Sequence, residues 1–220
     1  MEIKEYNGKQ RYFTIEMPEV ISGVPGISIF GRILKSFIFT TDIALIKNHN
    51  ADAIMAIYPF TTQPAINSAL VNAADVPVFC GIGGVNTPGE RLVEMATQSE
   101  YVGAAGMVVN PQVDNETLSK LHNALDIPLV ATIVSEKEDF ERRIESGADI
   151  FNISGAENTC RIIEHIKNKY PYMPIIATGG PSDETILETI GCGADAISFS
   201  PPTNAEIFKM QMQVFRESLE

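Results

Sequence analysis

From about residue 36 onward the chain repeats one pattern: a short β-branched run, a turn, then a segment with helical spacing. The β-branched runs are SFIFTT (36–41), AIMAIYP (53–59), VPVFCGI (76–82), AGMVVNP (105–111), IPLVATI (127–133), DIFNIS (149–154), MPIIATGG (173–180) and DAISFS (195–200). Each has the length of a strand, and the intervening segments carry apolar residues at helical intervals. In TLSKLHNAL (117–125), Leu118, Leu121 and Leu125 share a face, and CRIIEHI (160–166) and TILETI (185–190) behave alike. Asp42, Asn115, Asn158 and Ser182 stand where N-caps belong. A strand–helix alternation of this kind implies a parallel sheet, and eight units close it into a (β/α)8 TIM barrel. An open doubly wound sheet is the rival arrangement.

The strand starts fall into two classes. Val76-Pro77, Ile127-Pro128 and Met173-Pro174 open the third, fifth and seventh runs, whereas Ala51-Asp52, Ala148-Asp149 and Ala194-Asp195 open the second, sixth and eighth. The first strand is the least defined, because GISIF (26–30) competes with 36–41 and the helix after Asp42 has room for only about two turns. The expected organisation is an extension over residues 1–35, packed on the barrel bottom or used as an oligomer contact, followed by one barrel domain over 36–220.

Composition excludes several classes of function. With 45% hydrophobic and 20% charged residues, the chain is globular. No apolar stretch approaches the ~20 residues needed to cross a bilayer. The polar start MEIKEYNGKQ does not read as a signal peptide, so a cytoplasmic location is expected. A net charge of −12 disfavours nucleic acid and anionic membrane as partners. Residues 1–50 are near neutral, with six basic and five acidic groups, leaving 10 basic and 23 acidic groups in the remainder. An anionic ligand would have to be held against that field by local hydrogen-bond donors. The odd count of cysteines (Cys80, Cys160 and Cys192) argues against a disulfide framework. Neither they nor His49, His122 and His165 have metal-ligand spacing, so neither a metal nor another cofactor is expected.

In a (β/α)8 barrel the site lies at the C-terminal ends of the strands. That rule selects Gly83 and Gly84 after the third strand, Asn110 after the fourth, Thr132 on the fifth, and Asn152 and Ser154 on the sixth. Thr178, Gly179 and Gly180 end the seventh, and Ser198 and Ser200 the eighth. Period-two alternation puts Ser198 with Ser200, and Asn152 with Ser154, on common faces, while Phe199, Phe151 and Ile153 face the helices. Glycine lets a backbone approach a ligand closely, and helix N-termini favour anions. Thr178-Gly179-Gly180 with Ser198 and Ser200 therefore reads as an anion cup for a small phosphorylated or carboxylated metabolite; a plain tight turn is the alternative.

Residues 76–200 resemble the keto-deoxy-phosphogluconate / keto-hydroxyglutarate aldolases, a family of small barrels. GIGGVNTPGE (81–90) is similar to that family's G-A-G-T-V-x-x-P-x-Q loop, and VVNPQ (108–112) to its I-S-P-G strand end. IPLVATIVSEKE (127–138) resembles I-P-x-x-P-G-x-x-T-x-x-E, FNISGAE (151–157) resembles F-K-x-F-P-A-E, and ATGG (177–180) resembles P-T-G-G. The resemblance implies a phosphate cup at Thr178, Gly179, Gly180 and Ser200, and a homo-oligomer. It does not carry the aldolase chemistry. Asn152 stands where that family has its Schiff-base lysine, and an amide cannot form an imine. The family's proton-shuttle glutamate falls at Met55 and its substrate-binding arginine near Pro59.

Three side chains remain as candidates for acid–base or nucleophilic work: Asp42 after the first strand, Tyr58 after the second, and Cys80 on the third. Each has a structural alternative: N-cap for Asp42, packing for Tyr58, and buried small hydrophobe for Cys80. Two functional readings stay open. One is an enzyme, a lyase, isomerase or hydrolase of the aldolase-like kind. The other is a barrel that binds its ligand without transforming it.

Overall fold

The computed structural model describes residues 14–83 and 89–218. Eight parallel strands close into a barrel: β3 (Ser36–Phe39), β4 (Ala53–Ala56), β5 (Val78–Ile82), β6 (Gly106–Val109), β7 (Leu129–Ile133), β8 (Ile150–Ile153), β9 (Ile175–Thr178) and β10 (Ala196–Phe199). Closure pairs Ile197 of β10 with Ser36 of β3. Helices follow each strand: α1 (Ile43–Ile46), α2 (Pro64–Ala73), α3 (Gly89–Tyr101), α4 (Asn115–Ala124), α5 (Phe140–Glu145), α6 (Thr159–Lys169), α7 (Asp183–Gly191) and α8 (Asn204–Glu217). Among the described residues no helix is long and apolar enough to cross a membrane.

The two candidates for the first strand are both strands. Residues 36–39 form the first barrel strand, whereas β1 (Ile27–Ile29) and β2 (Arg32–Leu34) make an antiparallel hairpin outside the barrel sheet. Ile27, Ile29 and Leu34 of the hairpin are buried in one cluster with Phe37, Met55, Phe79, Val130 and Ile176. They close the N-terminal end of the barrel interior. A second apolar cluster fills the space between sheet and helices and holds Phe151, Ile153 and Cys80 together with Leu118, Leu121 and Ile163. One strand face thus builds the interior and the other the helix layer, as alternation requires.

The segment before the hairpin has a different task. Ile15 bridges to His49, and its N–H donates to Asn48 O at 2.8 Å. A 3-10 turn at Glu19–Gly23 packs against α7. Ile21 and Val24 are buried in the outer cluster with Leu45, Ile46, Ile186 and Ile197. This segment lies along the outside of β10 and β3, between α7 and α1. That lane is the one a last barrel helix would fill, and α8 buries only Ile207.

The Ala-Asp strand starts do more than cap turns. Each aspartate reaches across to the start of the preceding strand. Asp52 Oδ2 accepts the N–H groups of Lys35 and Ser36, both at 2.9 Å. Asp149 Oδ2 accepts Leu129 N–H at 2.8 Å, and Asp195 Oδ2 accepts Ile175 N–H at 2.8 Å. These first amides point away from any ladder partner, and the carboxylates satisfy them while fixing the register of each strand pair.

Asp42 and Ser182 cap α1 and α7 as expected. Asp114, rather than Asn115, caps α4, and Asn158 makes no side-chain cap bond to α6. The expectation against disulfides is corrected: Cys160 and Cys192 are bonded, joining α6 to the end of α7, and Cys80 is the free thiol. An odd count removes one cysteine from pairing and says nothing about the other two.

Asp195 also pairs with Lys167 Nζ at 2.6 Å, with both side chains largely buried. Asp195→Ala leaves the Ile175 amide unpaired and removes the counter-charge of Lys167, whose Nζ keeps only Met173 O. Urea unfolding should show a loss of about 2 kcal/mol; a variant within 0.5 kcal/mol or so of wild type, the range of an ordinary surface change, would show that the staple is dispensable.

Candidate functional site

Strand alternation defines the barrel mouth from the interior cluster outward. Above Phe37, Met55, Phe79, Val108, Val130, Ile150, Ile176 and Ala196, the next inward positions are Phe39, Ile57, Gly81, Asn110, Thr132, Asn152, Thr178 and Ser198. Ile57 packs against the interior cluster, and Ser198 Oγ lies 3.9 Å from Met55 Sδ, which fixes the parity of β4 and β10. Asn152 faces Thr132 in register, and its Nδ2 donates to Thr132 Oγ1 at 3.3 Å. Asn152 and Ser198 are buried, whereas Thr178 and Ser200 are open to solvent.

The mouth is therefore two-sided. From β5 round to β10 it offers glycine, amides and hydroxyls: Gly83, Asn110, Thr132, Asn152, Ser154, Thr178, Ser198 and Ser200. From β3 and β4 it offers Phe39 and Ile57. A ligand suited to it has an oxygen-rich end and an apolar side.

Glycine is required at two points. Gly83 has φ +113°, and a Cβ there would stand 3.2 Å from Asn110 Nδ2. Gly180 has φ +80°, and a Cβ there would stand 2.5 Å from Thr185 Oγ1. Gly180 thus turns the chain from β9 into α7 at the cup's edge. Gly84 lies outside the described residues.

The helix ends beside the cup are partly capped by their own side chains. Ser182 and Thr185 form a reciprocal capping box at α7, whose first turn carries Asp183 and Glu184. Thr203 and Glu206 do the same at α8. Pro181, Pro201 and Pro202 provide no N–H. Gly179 N–H is spent on Ser198 O at 3.3 Å. The mouth itself presents side-chain hydroxyls and amides as donors. A cavity of about 500 Å³ opens beside Ser154, Thr178, Gly179 and Gly180, and Glu157 and Glu188 also line it.

Asp42, Tyr58 and Cys80 each make structural contacts. Asp42 Oδ1 accepts the N–H of Ala44 at 2.7 Å and of Leu45 at 3.4 Å, which is N-cap geometry. The Tyr58 hydroxyl accepts Gln63 N–H at 2.9 Å and donates to Asn67 Oδ1 at 3.3 Å, tying the β4 loop to buried Asn67 of α2. Burial raises its pKa, with the Gln63 N–H pulling the other way. Cys80 faces the helix layer with no exposed surface, and burial pushes its thiol up to about 12. A thiol held neutral there is a poor nucleophile.

Two loop anchors had no signal in the sequence. Buried Thr62 donates to Gly83 O at 2.9 Å, fastening the β4 loop over the end of β5. Buried Arg143 donates to Val113 O, and to Pro111 O at 2.7 Å, holding the loop after β6. Strand alternation, applied to every strand, would have found Phe39 and Ile57. Among the described residues no group of three or more His, Cys, Asp or Glu side chains could hold a metal ion.

No family model matches the chain, and no curated protein matches it. Solved structures do. A 2,3-dimethylmalate lyase, described as a PEP mutase/isocitrate lyase superfamily member, superposes with a TM-score of 0.62 at 15% identity, covering 84% of this chain and 82% of that one. A phosphonopyruvate hydrolase solved with oxalate and Mg²⁺ gives 0.61 at 14% identity, covering 84% and 80%. Thiamine phosphate pyrophosphorylase from Pyrococcus furiosus gives 0.55 at 18% identity, covering 75% and 84%. At these identities the likeness is one of fold: a (β/α)8 barrel shared with lyase- and aldolase-like proteins. It does not single out the keto-deoxy-phosphogluconate aldolases.

The burial of Cys80 is directly testable. Iodoacetamide at pH 8 should leave Cys80 of the native protein unlabelled and alkylate it in urea, as read by peptide mass spectrometry. Rapid native labelling would place the thiol at the surface instead.

Proposed function

We propose that this barrel binds a small phosphorylated or carboxylated metabolite at its mouth, in the manner of an aldolase-like lyase that works without a Schiff base at β8. The observation that carries the reading is the inward arc Asn152, Thr178, Ser198 and Ser200, neutral donors gathered where barrels of this kind do their chemistry. Neutral donors suit an oxyanion in a chain of net charge −12, because hydrogen bonds act over ångströms while the opposing field is screened within about 10 Å in salt. The solved structures of similar fold support the class of ligand, since their names include a dimethylmalate lyase, a phosphonopyruvate hydrolase and a thiamine phosphate enzyme. Asn152 at the end of β8 would hold a ligand oxygen through Nδ2, and Phe39 and Ile57 would cover the ligand's carbon side.

A second reading, binding without turnover, is favoured by one specific observation. Asp42, Tyr58 and Cys80, the titratable candidates nearest the mouth in sequence, are all turned to structural use. General acid–base catalysis needs a titratable group within hydrogen-bond reach of the ligand.

Thermal-shift measurement with inorganic phosphate, pyruvate, keto-acid phosphates and sugar phosphates tests the binding claim. A ligand at 100 times its Kd adds about 2.7 kcal/mol, or roughly 5–10 °C for a chain of this size. Gly180→Asp, which puts a carboxylate at the cup's edge, should abolish the shift. No shift from any compound would sink the proposal. Borohydride trapping with pyruvate should leave the mass unchanged; a covalent adduct would reveal an imine-forming lysine and overturn the reading of Asn152.

A further inference from the structure

The last helix is built to be covered. Of the apolar residues on α8, Ile207 is buried, while Phe208, Met210, Val214 and Phe215 are 64%, 52%, 66% and 61% exposed. At 100° per residue Ile207, Met210 and Val214 share one face, and Phe208, Met212 and Phe215 share the adjacent one. Met210 and Val214 of the first face, with Glu206, Lys209, Gln213 and Arg216 around them, line a groove of about 930 Å³ whose other wall is Pro181, Phe199, Ser200 and the two prolines after β10. On the second face Phe208 and Phe215 are exposed and Met212 is half-buried. A helix of this length draws most of its stability from packing its apolar face. Among the described residues, Ile15, Ile21 and Val24 of the N-terminal segment are buried in the outer cluster, to which α8 contributes only Ile207.

We propose that two copies of this chain pair about a two-fold axis through α8. Phe208 and Phe215 of each copy fill the groove between α8 and the β10 loop of the other. One element carries both a convex aromatic ridge and a concave apolar groove, and a two-fold operation is what brings unlike patches of one surface together twice. Charge selects the occupant. The chain as a whole is at −12, which repels a second copy, but α8 carries Glu206 and Glu217 against Lys209 and Arg216 and is neutral. Copies can therefore meet at α8 with less repulsion than at an average point of their surface. The groove includes Ser200 and Pro181, the residue after Gly180, so the partner would also wall the outer side of the cup. The pairing itself does not depend on what the cup binds.

Light scattering on the size-exclusion-purified full chain reads the assembly. At micromolar concentration the mass should be twice the 24.0 kDa of one chain. Phe208→Glu with Phe215→Glu should return single-chain mass, with the dissociation constant raised at least about a hundredfold and far-UV circular dichroism unchanged. Phe208→Leu with Phe215→Leu should stay paired. Hydrogen exchange on the unmodified chain gives a second readout that needs no variant: α8 amides should slow as concentration rises from nanomolar to micromolar. Single-chain mass for wild type, an assembly of three or more, a glutamate variant that remains paired, or concentration-independent exchange at α8 would each overturn the proposal.

Discussion

A closed parallel sheet has no edge, and this forces every strand to commit one face to an interior only a side chain or two across. Phe37 and Phe79 meet there edge to face, with centroids 5.2 Å apart. The other face of each strand must meet helices. A slip of one residue in any strand would exchange the two faces. The three carboxylates Asp52, Asp149 and Asp195 oppose such a slip by gripping the first amides of the neighbouring strand. The position of the mouth follows from the same parity. Ser198 sits two residues above Ala196, and Asn152 two above Ile150, so the residues that set the core also set which hydroxyls and amides face a ligand.

Parity also separates the candidates that reach the mouth from those that do not. Asn110, Thr132, Asn152, Thr178 and Ser198 fall on the inward series. Tyr58 and Cys80 fall one residue off it and face the helices. The strand VFCGI is buried on both faces, so its sequence carries no polar–apolar alternation to show which parity is inward. Hence Cys80 looked as available as Gly81. Asp42 belongs to a different class: it leaves the strand altogether and satisfies the first amides of α1.

The eight-fold repeat was legible because its signals are local: β-branched runs, capping residues, and Gly147 and Gly193 before two of the three Ala-Asp starts. What was not legible depends on contacts distant in sequence. SFIFTT reads as the first barrel strand with GISIF as its rival, and both are strands; closure of β10 on β3 puts 36–39 in the barrel. That the segment 15–24 packs beside α7 while α8 buries only Ile207 depends on both ends of the chain, and neither end records it. The Cys160–Cys192 bond likewise needs α6 beside α7 before it can be inferred. In the site, the glycine turn at Gly180 was legible, while the self-capping of α7 and α8, which engages the Thr185 and Glu206 amides, was apparent only once Ser182–Thr185 and Thr203–Glu206 were seen in reciprocal pairs.

The account rests on the barrel mouth as a binding site served by neutral donors. Amide-resolved NMR titration with inorganic phosphate and with pyruvate tests this most directly. Saturable shifts should cluster at the Asn152 side-chain amide and at the backbone amides of Thr178, Gly180, Ser198 and Ser200, leaving the Asp52, Asp149 and Asp195 end of the barrel unmoved. Saturable shifts confined to that opposite end, or to the amides of α8, would contradict it.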